Sequence, residues 1–331
     1  MELAWLDPEH PDERDLAGAV AAVDAARIVD QPLWTSITVE VFAGMLRHGW
    51  DDGPPRMGVA RAERGRVVGV VELWLPRWDN VHAAGLDVTV DPLDRRRGIG
   101  RLLLEAGIQE ARDQGRRTLL VHCTDRPESA AFLEANGFVR GRADIIRRQQ
   151  LRSLDWDRLD QEHAAAEPHA AGYELLRLAG PTPEELLPAM AKMVEAINDA
   201  PIGDLDLEDE VFSPARIQAG EASRVARGHR MYRVAARDRA TGELAGHTVV
   251  NVLGSTPGYA WQGDTSVLRA HRGHRLGLLL KLEMLRWLRD EEPQLRTIDT
   301  GNAASNDHMI AINKLLGYEI LSRQSGWQRQ L

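Results

Sequence analysis

Arg95, Arg96, Arg97, Gly98, Ile99 and Gly100 follow a short apolar run holding Val88 and Val90 and a turn at Asp91 and Pro92, and they open a stretch of helical periodicity. That order of residue types binds anions. Glycines let the backbone turn tightly with N–H groups free, and a helix start adds unpaired donors at the positive end of its dipole. A second loop of the same kind, Arg272, Gly273, His274, Arg275, Leu276 and Gly277, comes after Val267. Other phosphate motifs fit less well. A P-loop closes on Gly-Lys-Ser/Thr, whereas Gly100 is followed by Arg101 and Leu102; a dinucleotide fingerprint would need a third glycine where Leu103 stands. The bland reading, a capping turn on a basic surface, loses ground because the loop occurs twice.

The repeat extends well beyond the loops. Gly69 matches Gly246, Asp87 matches Asp264, Val90 matches Val267, Arg95 matches Arg272 and Gly100 matches Gly277 at one offset, and Gly137 matches Gly317 after a slip of three residues. Periodicity predicts helices over residues 16–28, 36–46, 99–114 and 129–135 in the first copy, with strands over 57–61, 67–74, 86–90, 118–123 and 138–146. In the second, helices are expected over 183–193, 214–226, 276–288 and 307–316, and strands over 230–236, 243–252, 260–267, 296–300 and from Tyr318 onward. The fold class is α/β: two tandem domains, each a mixed central sheet flanked by helices, at 1–152 and 172–331. The acidic stretch 153–171 reads as a partly helical linker.

Size and charge narrow the partners. A chain of 331 residues has room for two real cores, and its formal net charge of -9 speaks against broad attraction to nucleic acid. Basic residues gather locally at 95–101 and 269–275, which suits a small anionic ligand. The single cysteine, Cys123, excludes an intramolecular disulfide and a cysteine zinc cluster, so a reducing, cytoplasmic setting and no metal are expected; Cys123 itself reads as a packed strand residue. No window approaches the roughly 18 apolar residues of a membrane span, and no membrane partner is expected.

These features resemble the GNAT superfamily of acyl-CoA N-acyltransferases, twice over and across nearly the whole chain. The family signature, Arg or Gln, two residues, Gly, one residue, Gly or Ala, is met in full by Arg95, Gly98 and Gly100, while in the second copy Arg275 stands where the central glycine belongs. The tandem arrangement is similar to that of the mycothiol synthase family. The resemblance implies acetyl-CoA as cofactor, its pantetheine arm along Val88 and Val90 or along Val267, its pyrophosphate at the loops, and a small-molecule amine attacking the thioester in a ternary complex. Two copies in one chain mimic a homodimer, so a monomer suffices and self-association stays open.

Acetyl transfer needs a base for the ammonium and a donor for the leaving thiolate. The family often supplies the donor as a tyrosine, whose position is Leu133 in the first copy and Asn313 in the second. Asparagine can donate a hydrogen bond and leucine cannot, which tips the balance toward the second copy. Candidate bases are Asp87 and Asp264 on corresponding strands, with Glu72 and His247 on the preceding ones; each equally suits a merely polar strand position. Asn306 is a candidate cofactor contact or a helix cap. The carboxylates Asp204, Asp206 and Glu208 lie between the opening helices of the second copy, where they would hold a cationic substrate or simply a solvated loop. The rival function is a non-catalytic acyl-CoA binding or scaffold protein, with loops retained and turnover lost.

Overall fold

The computed structural model describes residues 1–50 and 53–331. In chain order the elements are β1 (Glu2–Trp5), α1 (Glu13–Asp30), α2 (Val39–His48), β2 (Arg56–Arg61), β3 (Val67–Trp74), β4 (Ala83–Val90), α3 (Ile99–Asp113), β5 (Thr118–Thr124), α4 (Pro127–Ala135) and β6 (Val139–Gln150). There follow α5 (Trp156–Ala166), β7 (Tyr173–Ala179), α6 (Leu187–Val194), α7 (Pro214–Ala226), β8 (Arg230–Asp238), β9 (Leu244–Val252), β10 (Tyr259–Val267), α8 (Leu276–Glu291), β11 (Thr297–Ala303), α9 (Asp307–Leu315) and β12 (Tyr318–Gln330). Among the described residues no helix is long and apolar enough to cross a membrane.

Two compact units emerge, and no single cut separates them. The first holds Met1–Asp144 together with Ile202–Glu208 and Ser322–Leu331; the second holds Ile145–Pro201 and Asp209–Leu321. Each is a mixed sheet between helices.

In the first unit the strand order is β1-β2-β3-β4-β5-β12. The register alternates as a two-sided sheet requires. Val71, Leu73 and Leu86 turn to α3, packing with Leu103, Leu104 and Ile108, while Val59 and Val70 turn to α1 and α2, packing with Ala19, Phe42 and Leu46. The last strand is the chain's own C-terminus: residues from Gln324 to Gln330 pair antiparallel with β5, and Trp327, 3% exposed, enters the same core as α3. Residues 202–208 form a strap on this unit, with Leu205 buried against Ala83 and Leu120.

In the second unit the order is β6-β11-β10-β9-β8-β7. Its main core packs Leu276, Leu279, Leu280, Met284 and Leu288 of α8 against Val234, Val250, Val252 and Ile298. The stretch read as a linker carries α5, whose Leu159 and Ala166 are buried in that core, so it is an integral layer of this unit. β1 and β7, both edge strands, were not anticipated: four residues are too few to show alternation, and Glu174, Leu175, Leu176, Arg177 and Leu178 carry no clean period of two.

Trp327→Ala would remove an aromatic side chain from the first unit's core and should cost about 3–5 kcal/mol of stability, read as a lowered midpoint in urea melts. Unaltered stability would mean that the C-terminal strand does not complete this unit.

Candidate active site

The geometry begins where two parallel strands part. β4 pairs with β5 only over Ala83–Gly85 against Thr118–Leu120, although β4 continues on its other side to pair with β3 as far as Val90. The edge of β4 from Leu86 to Val90 therefore faces a gap with its amides and carbonyls unpaired to β5, a slot for an extended polar arm. Val88 and Val90 send their side chains toward α3, where Phe132 lies close to Gly100: a Cβ on that glycine would stand 3.5 Å from the ring. Phe132, which the sequence reading did not single out, thus forms an apolar wall beside the helix start.

At the head of the gap the loop enters α3. Gly98 is the N-cap with φ of 82° and no side chain caps the helix, so the amides of the first turn remain available to an anion. A Cβ on Gly98 would meet nothing within 4 Å, so the glycine is required by its left-handed backbone rather than by crowding. Arg96 is also left-handed, with φ of 64°. The second unit repeats this with the residue types exchanged: Gly273 has φ of 86° and Arg275, the uncapped N-cap of α8, has φ of 55°. Both loops place left-handed residues at the same two positions, and each spends its glycine on a different one. The side chains of Asp12, Thr38, Asp155 and Ser213 cap α1, α2, α5 and α7, while α4 and α6 also start without a side-chain cap. Asn306 is the N-cap of α9, its Oδ1 accepting from Met309 N at 3.2 Å.

Of the loop arginines, Arg95 and Arg272 fold back onto the strand before them. Arg95 donates Nε to Val90 O at 3.2 Å and both Nη atoms to Asp30 at 2.9 and 2.6 Å; Arg272 donates Nε to Val267 O at 3.1 Å and Nη2 to Asp199 at 2.5 Å. Arg97 pairs with Asp94 at 2.9 Å, and Arg96 is exposed. In the second unit Arg275 donates to Ala165 O and His274 contacts His169 O, both at 3.3 Å, while Tyr173 lies against His274 at 5.5 Å between ring centres. The end of α5 and the turn after it thus engage the second loop's side chains.

Glu72 and Asp87 are directly opposite across β3 and β4, on the sheet face away from α3. Recessed among protein atoms and facing the Asp87 carboxylate, Glu72 is pushed up to about 8; the same recess raises Asp87, although its surface stays open to solvent and the Val88 amide partly offsets the rise. Two facing carboxylates that resist double ionisation form a proton-accepting pair within reach of neutral pH.

The second unit has no such pair. Val249 takes the place of Glu72, and Asp264 lies in a bulge where β10 carries one residue more than β9 between Gln262 and Thr265. His247, across from Ser266, is 2% exposed; neither ring nitrogen has a partner and burial pushes it down to about 3, so it is neutral and enclosed. Asn313 is wholly buried and already engaged: its Oδ1 accepts from Lys281 Nζ at 2.6 Å and its Nδ2 donates to Asn302 Oδ1 at 2.7 Å. Lys281, missed by the sequence reading because a lone lysine in an apolar helix reads as surface, also lies 4.9 Å from the centre of the Tyr318 ring, and burial pushes it down to about 7.

The acidic run belongs to the first unit's strap. Asp206 accepts from Thr118 Oγ1 at 2.9 Å and from Gln330 Nε2 at 3.2 Å, Asp204 N donates to Gly141 O at 2.9 Å, and Glu208 N donates to Asn80 Oδ1 at 2.7 Å. Cys123 lies 3.9 Å from Ser325 Oγ and burial raises its thiol, so it offers no thiolate.

Residues 25–138 match the family described as "Acetyltransferase (GNAT) family". A solved tandem GNAT protein from the clavulanic acid biosynthesis pathway, determined without AcCoA, is 30% identical, with 99% of this chain and 98% of that one covered and a TM-score of 0.79. A GCN5-related N-acetyltransferase from Sphaerobacter thermophilus aligns over 99% of this chain and 95% of its own at 15% identity and a TM-score of 0.67. A GCN5-related glucosamine N-acetyltransferase region of a fungal multi-domain GH3 beta-N-acetylglucosaminidase aligns over 98% of this chain and 38% of its own at 15% identity and a TM-score of 0.72. No curated protein matches the chain.

Arg275→Gly should stabilise the second unit by about 1 kcal/mol by relieving the left-handed conformation, read as a raised melting midpoint. Lys281 binds its proton near 7 in the folded chain and near its ordinary 10.5 when unfolded. The unfolded state therefore holds more protons between these values, and this group makes stability rise with pH across that window. In Lys281→Met that contribution should vanish, seen as a smaller gain than wild type between pH 7 and pH 10 in urea melts.

Proposed function

The chain belongs to the GNAT family of N-acetyltransferases, and on that premise we propose that it transfers the acetyl group of acetyl-CoA to the amine of a small molecule by direct attack in a ternary complex, with the chemistry in the first unit. The observation that carries this reading is the Glu72–Asp87 pair beside the unpaired edge of β4. Polarity at Asn313 favours the second copy when the sequence is read alone. In the folded chain that amide is spent on Lys281 and Asn302, and the weight moves to the first.

The first unit fits the cofactor on its own terms. The edge of β4 offers backbone donors and acceptors to a pantetheine arm, and the uncapped start of α3 around Gly98, Ile99 and Gly100 offers amides to a pyrophosphate, with Arg96 exposed beside them. Acetyl-CoA supplies an activated acyl group with a thiol leaving group. Glu72, half ionised near pH 8, removes a proton from the incoming ammonium so that the free amine becomes the nucleophile. Asp87 holds the ammonium nearby and, by its charge, keeps Glu72 basic enough to take that proton. Two carboxylates together select a cationic acceptor. Tetrahedral charge is met by strand amides, which need no side chain; as the C–S bond breaks, the departing thiolate takes up through water the second proton that the attacking nitrogen loses.

The second unit keeps an uncapped loop without a carboxylate pair, and we read it as a structural or acyl-CoA-binding partner. The likeness to the mycothiol synthase family rests on tandem arrangement alone and gives no acceptor.

Acetyl transfer should be assayed over an amine panel with detection of released thiol. Glu72→Gln should lower kcat/KM by about 10²-fold or more. In wild type kcat/KM should rise with pH through about 8. Asp87→Asn should move that rise to lower pH, because loss of a facing negative charge makes Glu72 more acidic. Unchanged rates in Glu72→Gln would return the chemistry to the second unit, and cofactor binding without turnover of any amine would favour a scaffold.

A further inference from the structure

Beyond Gly85 and Leu120 the sheet does not set the width of the gap between β4 and β5, because the ladder has ended. The end of α1 reaches both lips instead. On one side Asp30 receives both Nη atoms of Arg95, at 2.9 and 2.6 Å, while the Nε of the same arginine donates to the carbonyl of Val90, the last residue of β4. On the other side the Asp30 carboxylate accepts from Arg126, the N-cap of α4, and the Gln31 side-chain amide donates to Thr124 Oγ1, the last residue of β5. Two adjacent side chains at one helix end thus hold the end of β4 and its loop, the end of β5, and the start of α4.

The second unit makes the first half of this contact by another route. Asp199 pairs with Arg272, whose Nε donates to Val267 O, and with Arg269. The offset that aligns Arg95 with Arg272 carries Asp30 onto Leu207, not Asp199. Both aspartates nevertheless close the first helical segment after the edge strand of their unit, Asp30 ending α1 and Asp199 ending the 3-10 turn that follows α6, so the contact recurs between the copies although its spacing from the loop differs. Bidentate geometry makes it directional: an arginine fork on a carboxylate fixes both partners' orientation.

We propose that Asp30 and Gln31 form a staple that sets the width of the cofactor cleft in the first unit, with Asp30 as a positioning residue for acyl-CoA affinity and for the length of acyl group admitted. This rests on the reading that the first unit binds acetyl-CoA. Asp30 touches none of the reacting atoms; it acts through Arg95 and Arg126.

The test is calorimetric binding of acetyl-CoA and of hexanoyl-CoA to the full chain, with steady-state kinetics and thermal melts alongside. Asp30→Ala should weaken acetyl-CoA binding about tenfold, leave kcat at saturation within about twofold, and narrow the preference for the shorter acyl group. Asp30→Glu, which retains a fork acceptor, should recover most of the affinity. Gln31→Ala, which loses one neutral hydrogen bond, should shift affinity and preference the same way by about two- to fivefold. A lowered melting midpoint in Asp30→Ala with affinity and acyl preference unchanged would overturn the staple and leave an ordinary stabilising ion pair. Should Asp30→Ala fail to fold, Gln31→Ala decides alone: unaltered binding and preference overturn the proposal. Wild-type protein that binds no acetyl-CoA would overturn the underlying reading and the staple with it, whereas wild-type binding with unaltered variants removes only the staple.

Discussion

The parting of two parallel strands is the constraint on which the rest depends. Once β4 loses β5 after Gly85, its main chain faces water or a ligand along Leu86–Val90, and a sheet edge in that state is tolerated only where something else uses or shields it. The helix that follows begins without a side-chain cap at the mouth of the same gap. Unpaired strand edge and uncapped helix are each costly in isolation, because buried or half-buried backbone groups lose water without gaining a partner. Side by side they match a ligand with a peptide-like arm and a diphosphate, so their coincidence carries more weight than either alone.

Charge then separates the two units. In the first, carboxylates face each other at Glu72 and Asp87 beside the gap, and burial together with the facing Asp87 charge pushes Glu72 up to about 8. In the second, the corresponding strands carry Val249 and a bulged Asp264, and polarity has moved inside, to His247, Lys281, Asn302 and Asn313. There burial holds the His247 imidazole neutral, and Lys281 donates its hydrogen bond to Asn313. The loops show the same drift. Both keep left-handed backbone at the two positions, but Arg275 accepts the conformational strain that Gly98 avoids, and its neighbours contact the turn after α5.

Much of this was legible. α7 and β10 fall within a residue of where periodicity and capping residues put them, because Pro214 and the apolar alternation are local signals. The loop Arg95–Gly100 announced its tight, left-handed turn into α3 through Gly98, and Glu72 and Asp87 were visible as acids on neighbouring strands. What escaped was of two kinds. β1 and β7 were missed because an edge strand is stabilised mainly by its single neighbour and needs no alternation of its own. That α5 packs into the core rather than linking two units was obscured by Asp155, Asp157, Asp160 and Glu162, whose charge dominates the composition while Leu159, His163 and Ala166 make the buried stripe. Arg95 likewise looked like an anion ligand, and only its distance to Asp30 reveals an internal bond.

From the chain of letters come the duplication, the family, the turns that need a left-handed residue, and the acids that could accept a proton, since each is written in residue type and short-range spacing. Tertiary structure decided which polar groups remain available. Asn313 is used up by a lysine on another helix, Asp206 by Thr118 and Gln330, and Arg95 by Asp30, all of them pairings between residues far apart in sequence. It also decided which stretches complete each unit, for the first draws in Ile202–Glu208 and Ser322–Leu331. The physical reason is the same in both cases: a hydrogen bond or a sheet pairing depends on distance in space, and spacing along the chain limits that distance only over the few residues of a turn.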